Sequence, residues 1–222
     1  MQQHALSSPG DAGLGVAEWS RLRFPAPPHG PGSLLDAALA PTDEALHVFG
    51  GRRADGALSA ELWRLHLATG TWTLHRSGDE ERPAARSGHT LVALRGALWL
   101  LGGRGDAGQV HGGMWRFDVS APRWALLAET PDALARTDHC AAAHHRLGTM
   151  LVHGGGGRSG LRDDLWSWDQ LTARWEHLDG EHAQGPAGGV RPAARRGHTC
   201  ALVPDTRELL VLGGSGAAGV AL

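Results

Sequence analysis

An all-β propeller of four-stranded antiparallel blades, whole or incomplete, is the fold class this 222-residue sequence predicts, and three recurrences predict it. Diglycines fall at Gly50-Gly51, Gly102-Gly103, Gly154-Gly155 and Gly213-Gly214, the first three spaced 52 residues apart and the last 59 further on. Tryptophans keep the same beat in two series: Trp63, Trp115 and Trp166, then Trp72, Trp124 and Trp175. An Arg-x-x-His pattern recurs at Arg86–His89, Arg136–His139 and Arg195–His198. A period near 50 residues indicates a solenoid or a propeller, and apolar runs of strand length decide for the propeller.

The elements follow in chain order. Residues 1–15, MQQHALSSPGDAGLG, are expected to be a flexible segment, and repeats fill 16–214. Residues 16–22 read as a lone fourth strand whose Trp19 matches Trp72. The first blade spans about 33–74, and its opening is degenerate: Gly32-Ser-Leu-Leu-Asp36 stands where later blades carry Arg-x-x-His. The second, about 86–127, is the clearest. In RSGHTLVALRGALWLLGGR, strand one is Thr90–Leu94, Arg95-Gly96 is turn chemistry, and strand two is Leu98–Leu101. A polar, glycine-rich loop leads to strand three at Met114–Val119 and strand four around Trp124. The third blade covers about 136–178, where DLWSWDQLTARWEHL repeats the pattern of ELWRLHLATGTWTL at 61–74. Residues 195–214 supply strands one and two only, and 215–222 form a tail. Strands two and three are apolar on nearly every face, as a sheet stacked between two neighbours requires.

Composition narrows the function. A net charge of −2 and a pI near 6.7 encode no general attraction to nucleic acid or to an acidic membrane. No basic region followed by an apolar run opens the chain, and the longest apolar run falls well short of a membrane span. Two cysteines, Cys140 and Cys200, make no secreted-domain framework. A reducing setting, cytoplasmic or nuclear, is therefore expected, and one disulfide between them stays open.

The diglycine closing strand two, with a tryptophan in strand three and another in strand four at fixed offsets, resembles the kelch repeat over nearly the whole chain. The resemblance implies a propeller whose diglycines permit close backbone approach while the indoles fill wedges between blades. Kelch propellers close with six or seven blades. Three blades, one outer strand and one inner half thus suggest a fragment, with a compact four-bladed ring as the alternative. An unpaired edge at 195–214 is expected to favour self-association.

Candidate chemistry is sparse. His89, His139 and His198 recur with the repeat and read as structural residues opening each inner strand. The denser group of His139, Cys140, His144, His145 and His153 splits across two faces of an extended strand, so no face collects a tetrahedral set, and no metal or cofactor is expected. Among kelch-type enzymes, the copper-radical oxidases need tyrosine, and this chain has none. The Glu-x-x-x-Asp-x-x-x-His iron motif of specifier proteins is also missing. The expected function is protein interaction rather than catalysis, with a small-molecule or enzymatic channel and a non-functional truncation as alternatives. The loops between strands two and three begin with Arg52, Arg104 and Arg158 after their glycines. Gathered on one face, these guanidiniums would suit a protein or an acidic peptide segment.

Overall fold

The computed structural model describes residues 2–5, 18–21, 30–76, 81–127, 130–178, 191–203, 208–219 and 221, with side chains from residue 30 onward. Three four-stranded antiparallel sheets and a two-stranded one carry the repeats, and no α-helix occurs among the described residues. Blade 1 runs from its inner strand Ala38–Pro41 through Ala45–Phe49 and Leu62–His66 to Thr71–His75. Blade 2 runs through Ser87–Leu94, Ala97–Arg104, Met114–Asp118 and Arg123–Leu126. Blade 3 runs through Cys140–His144, Thr149–His153, Leu165–Asp169 and Arg174–His177. The half blade pairs Thr199–Leu202 with Leu209–Leu212.

At the N-terminus, the strand expected to be alone has a partner. Glu18–Arg21 pairs antiparallel with Gln2–Ala5, which lies inside the segment expected to be flexible.

Register explains the burial. Leu98, Leu100 and Leu101 sit in the second strand of blade 2, flanked by strands on both sides, and are completely buried. Apolar faces then meet between blades. Ala38, Ala40, Phe49 and Leu62 of blade 1 close on Leu91, Leu98, Leu100, Phe117 and Trp124 of blade 2. Leu101, Met114 and Trp99 of blade 2 close on Met150, Val152 and Trp168 of blade 3. Burial on this scale is what makes such sheets stack, each large side chain contributing roughly 1.5–3 kcal/mol.

The indoles do not share one role. Trp124 fills the first wedge, its ring 5.4 Å from Phe49, while Trp99 and Trp168 fill the second, 4.2 Å apart. Trp63 and Trp166 are only partly buried, and their ring N–H groups donate to Glu61 and Asp164.

The blades are strung together near the axis by one recurring backbone contact. Gly88 N–H donates to Asp36 O, Asp138 N–H to Gly88 O, and Gly197 N–H to Asp138 O, at 3.2, 2.7 and 2.8 Å. All four residues hold left-handed backbone with φ between 54° and 65°. Glycine and aspartate are the residue types that tolerate this most readily. Among the described residues no hydrogen bond carries the series from Gly197 back to Asp36, and the array is open.

Candidate functional site

The site is built from the boundary between successive blades. Gly51 N–H donates to Arg86 O, Gly103 N–H to Arg136 O, and Gly155 N–H to Arg195 O, each at 2.8 Å. Each arginine then reaches back to its own diglycine: Arg86, Arg136 and Arg195 donate through Nη1 to the carbonyls of Gly102, Gly154 and Gly213. Arg136 is completely buried and adds a bidentate pair to Asp164, both N–O distances 2.9 Å. Desolvation pushes the Asp164 carboxyl up, but the hydrogen bonds and charge of Arg136 prevail and hold it below its ordinary value.

The histidine of each motif roofs the neighbouring diglycine. A Cβ at Gly103 would lie 2.8 Å from His89 Cβ and 3.0 Å from Ser87 O, and a Cβ at Gly102 would meet the His139 ring at 2.9 Å. The diglycine is therefore squeezed between two histidines, its own blade's and the next one's. The bulky rings beside it are imidazoles.

His89 Nε2 donates to Phe49 O at 3.1 Å, and His139 Nε2 meets Thr90 Oγ1 at 2.9 Å. Burial, then the charge of Arg86, lowers His89 to about 3, against the partial support of the Phe49 carbonyl. Burial likewise lowers His139 well below the ordinary range. Both rings are neutral wedges at physiological pH.

The third boundary is different in kind. His198 Nε2 lies 3.2 Å from His153 Nδ1, and the rings meet edge to face with centroids 5.1 Å apart. Cys140 and Cys200 are joined by a disulfide that bridges blade 3 and the half blade, with Cα atoms 5.8 Å apart. The possibility left open by two cysteines is thus realised, and it sets the reducing-setting expectation against an oxidised pair. Counting faces along one strand gives Cys140 only His144 as a companion, short of a tetrahedral set. The missing partners come from across the sheet and from the next blade: Cys140 stands opposite His153, and one ligand atom each of Cys140, His153 and His198 lies within 4.8 Å of the others. His144 and His145 do not join them. His144 Nδ1 accepts from Leu147 N–H, and His145 is exposed at the turn.

The loops following the diglycines form a second candidate surface. Each returns to its own second glycine, whose carbonyl accepts from Ser59, Arg162 or His111 N–H at 2.8, 2.9 and 2.9 Å. Such loops are preformed, with exposed tips. Arg52, Arg104 and Arg158 are all exposed. Arg52 Nη1 donates to Gly56 O of its own loop at 2.7 Å. Arg104 acts electrostatically on Asp138, whose carboxyl burial and Asp36 push up. Arg158 follows two extra glycines and sits in the turn of a short hairpin, Gly156-Gly157 against Gly160-Leu161. No contact joins the three to one another among the described residues.

Along the axis, the inner strands enclose two shallow openings of about 180 and 210 Å³, lined by Asp36, Asp138 and the three recurrent histidines at one and by Thr90, Cys140 and Cys200 at the other. None of the three arginines lines either one.

Repeated four-stranded blades latched by diglycine and Arg-x-x-His define a kelch-type propeller domain. The chain belongs to the kelch-repeat family: residues 15–214 match the family model described as the KLHDC2/KLHL20/DRC7 Kelch-repeats domain. Among similar proteins, human multiple epidermal growth factor-like domains protein 8 is 28% identical over 180 residues, covering 78% of this chain and 6% of that protein. An F-box/kelch-repeat protein of Arabidopsis thaliana is 30% identical over 194 residues, covering 81% and 36%. Kelch domain-containing protein 10 of Xenopus tropicalis is 26% identical over 185 residues, covering 74% and 44%. The chain thus spans less than half the length of these relatives. No helix among the described residues is long and apolar enough to cross a membrane.

Proposed function

We propose that the chain is a protein-interaction module that presents its diglycine loops to a partner protein or acidic peptide segment, without catalysis of its own. The observation that carries this reading is the recurrence of preformed loops, each tied back to its diglycine carbonyl while its tip stays exposed. Preformed loops lose little conformational entropy on binding, which favours recognition. Membership of a family of interaction modules supports the same reading. The axial openings weigh against a small-molecule channel, being smaller than the roughly 300 Å³ at which ligand pockets begin.

Within this surface, Arg104 and Arg158 are the candidates for charge-assisted contacts, and Arg52 joins them once it releases Gly56 O. The tips also carry Asp55 and Asp106, so a partner of mixed charge that places acids against the arginines fits better than a uniformly acidic one. A second copy of the chain is a further partner, through the edge strand Leu209–Leu212, where Leu210 and Leu212 are exposed. The setting we favour is cytoplasmic or nuclear, where the two cysteines would be held as thiols.

The test is quantitative partner capture by the wild-type chain and by a variant carrying Arg52→Ala, Arg104→Ala and Arg158→Ala, at two salt concentrations. Each lost charge-assisted contact should cost about 1.5–3 kcal/mol, and wild-type binding should weaken with salt. A folded triple variant that recovers the same partners at the same salt would remove the arginines from the recognition face.

A further inference from the structure

Four positions recur at each boundary between blades: the residue before the diglycine, the one opposite it on the inner strand, the histidine of the next blade, and the residue two beyond that histidine. At the first boundary they are Phe49, Ala38, His89 and Leu91. At the second they are Leu101, Thr90, His139 and Ala141. At the third they are His153, Cys140, His198 and Cys200. Only there are all four able to ligate a soft or borderline metal ion.

The topology that aligns them is general. Residues opposite one another in an antiparallel pair share a face, so Cys140 and His153 look the same way. His198, immediately before the strand Thr199–Leu202, and Cys200 within it look back at them. The disulfide between Cys140 and Cys200 and the contact between His153 and His198 establish that the two faces meet.

We propose that, when the disulfide is reduced, Cys140, His153, His198 and Cys200 form a tetrahedral zinc site that clips the half blade to blade 3. Two cysteine thiolates and two imidazoles are a structural zinc set. With zinc–nitrogen bonds of about 2.0–2.1 Å, two imidazole nitrogens of a tetrahedron stand about 3.3 Å apart. His153 Nδ1 and His198 Nε2 are 3.2 Å apart already. Cys140, His153 and His198 are exposed by only 6%, 3% and 7%, so the cluster is built into the boundary and is not a surface coincidence. Ion binding needs Cys200 Sγ to part from Cys140 Sγ to about 3.8 Å, the thiolate separation set by zinc–sulfur bonds of about 2.3 Å.

The two states exclude each other. A thiol reductant opens the bond in two exchange steps, giving two cysteine thiols and one molecule of oxidised reductant. Zinc then displaces the two thiol protons and takes both thiolates. A disulfide oxidant reverses this: it re-forms the Cys140–Cys200 bond, is itself reduced to two thiolates, and the ion leaves. The boundary is therefore clipped in either redox state, covalently or by metal.

The test uses the full chain, reduced with a phosphine and stripped with a chelator, then titrated with Co²⁺ as a spectroscopic substitute for zinc. The expected result is one Co²⁺ per chain with tetrahedral ligand-field bands and thiolate charge transfer, displaced by one equivalent of Zn²⁺. Oxidation to the disulfide should abolish binding. His153→Leu, which installs the residue found at the same position of blade 2, should weaken binding by at least about a hundredfold while the circular dichroism of the chain is preserved, since even outer-shell losses cost roughly ten- to a hundredfold. Cys200→Ser should remove half of the thiolate charge transfer. Failure of the reduced, folded chain to bind Co²⁺ would overturn the proposal, as would undiminished binding by His153→Leu or Cys200→Ser.

Discussion

The second and third boundaries occupy the same places in the repeat and are held by different physics. Between blades 2 and 3, Trp99 lies against Trp168, and Met114, Met150 and Val152 complete a wedge that is buried almost throughout. Between blade 3 and the half blade there is no comparable apolar wedge among the described residues. The equivalent of buried Leu101 is His153 on one side, and on the half blade the next equivalent, Leu212, is 66% exposed. What the hydrophobic effect provides at the second boundary, a cross-link supplies at the third. The lesson is that the latch of diglycine and Arg-x-x-His sets the spacing of blades, while the energy that holds them comes from what fills the space between them, an apolar wedge at the second boundary and a cross-link at the third.

The largest expected effect breaks the apolar boundary. Trp168→Ala, at a site 1% exposed, should cost about 3–5 kcal/mol in denaturant unfolding, because it leaves a cavity opposite Trp99. A loss below about 1 kcal/mol would mean that blades 2 and 3 do not depend on this wedge.

Next comes the cross-link. Cys140→Ser with Cys200→Ser should destabilise the half blade by about 2–4 kcal/mol, since the bridge spans a sequence separation of 60 residues. Hydrogen exchange should quicken in 199–202 and 209–212 and leave 97–104 unchanged. Uniform loosening of all blades would show that the third boundary is not a separate unit.

Acid should act on the neutral histidine wedges. The folded His89 value, about 3, lies below the ordinary 6.5, so the unfolded chain takes up the proton first as pH falls. Stability should be unaffected above pH 6.5, decline as pH drops toward 3, and level off below; this one ring should cost about 2 kcal/mol at pH 5. Unfolding midpoints of wild type and His89→Phe across that range measure it, and equal slopes would assign the acid sensitivity elsewhere.

The smallest effect is at Leu212: Leu212→Ala, at an exposed position, should change stability by no more than about 0.5 kcal/mol, whereas the same change at its buried equivalent Leu101 should cost about 2–5 kcal/mol. A large loss at Leu212 would mean that another chain or segment covers the half blade in solution.

Much of this architecture was legible in the letters because repetition is a one-dimensional signal. The diglycines and paired tryptophan series, joined by Arg-x-x-His from the second blade onward, predicted an all-β fold of four-stranded antiparallel sheets, and three such sheets are present. The role of the diglycines was only half legible. The resemblance implied close backbone approach, and the imidazoles of two successive blades are what the diglycines approach, since which ring crosses a boundary depends on how the blades are rotated against each other. The arginines were legible as exposed loop residues. Their convergence was not, and Arg52 turns back to its own loop.

What the sequence alone determined, then, is the repeat: the all-β class, the four-stranded unit and the apolar faces, all fixed by local spacing and by the alternation of side chains along strands. What only the tertiary structure decided is which residues of different blades meet. Cys140 and Cys200 are separated by 60 residues, and His153 and His198 by 45. Alternation along one strand placed Cys140 on a different face from His139, which is correct and insufficient. The ligand set is completed by a cross-strand partner and by the next blade, and those proximities exist only once register and blade stacking are set.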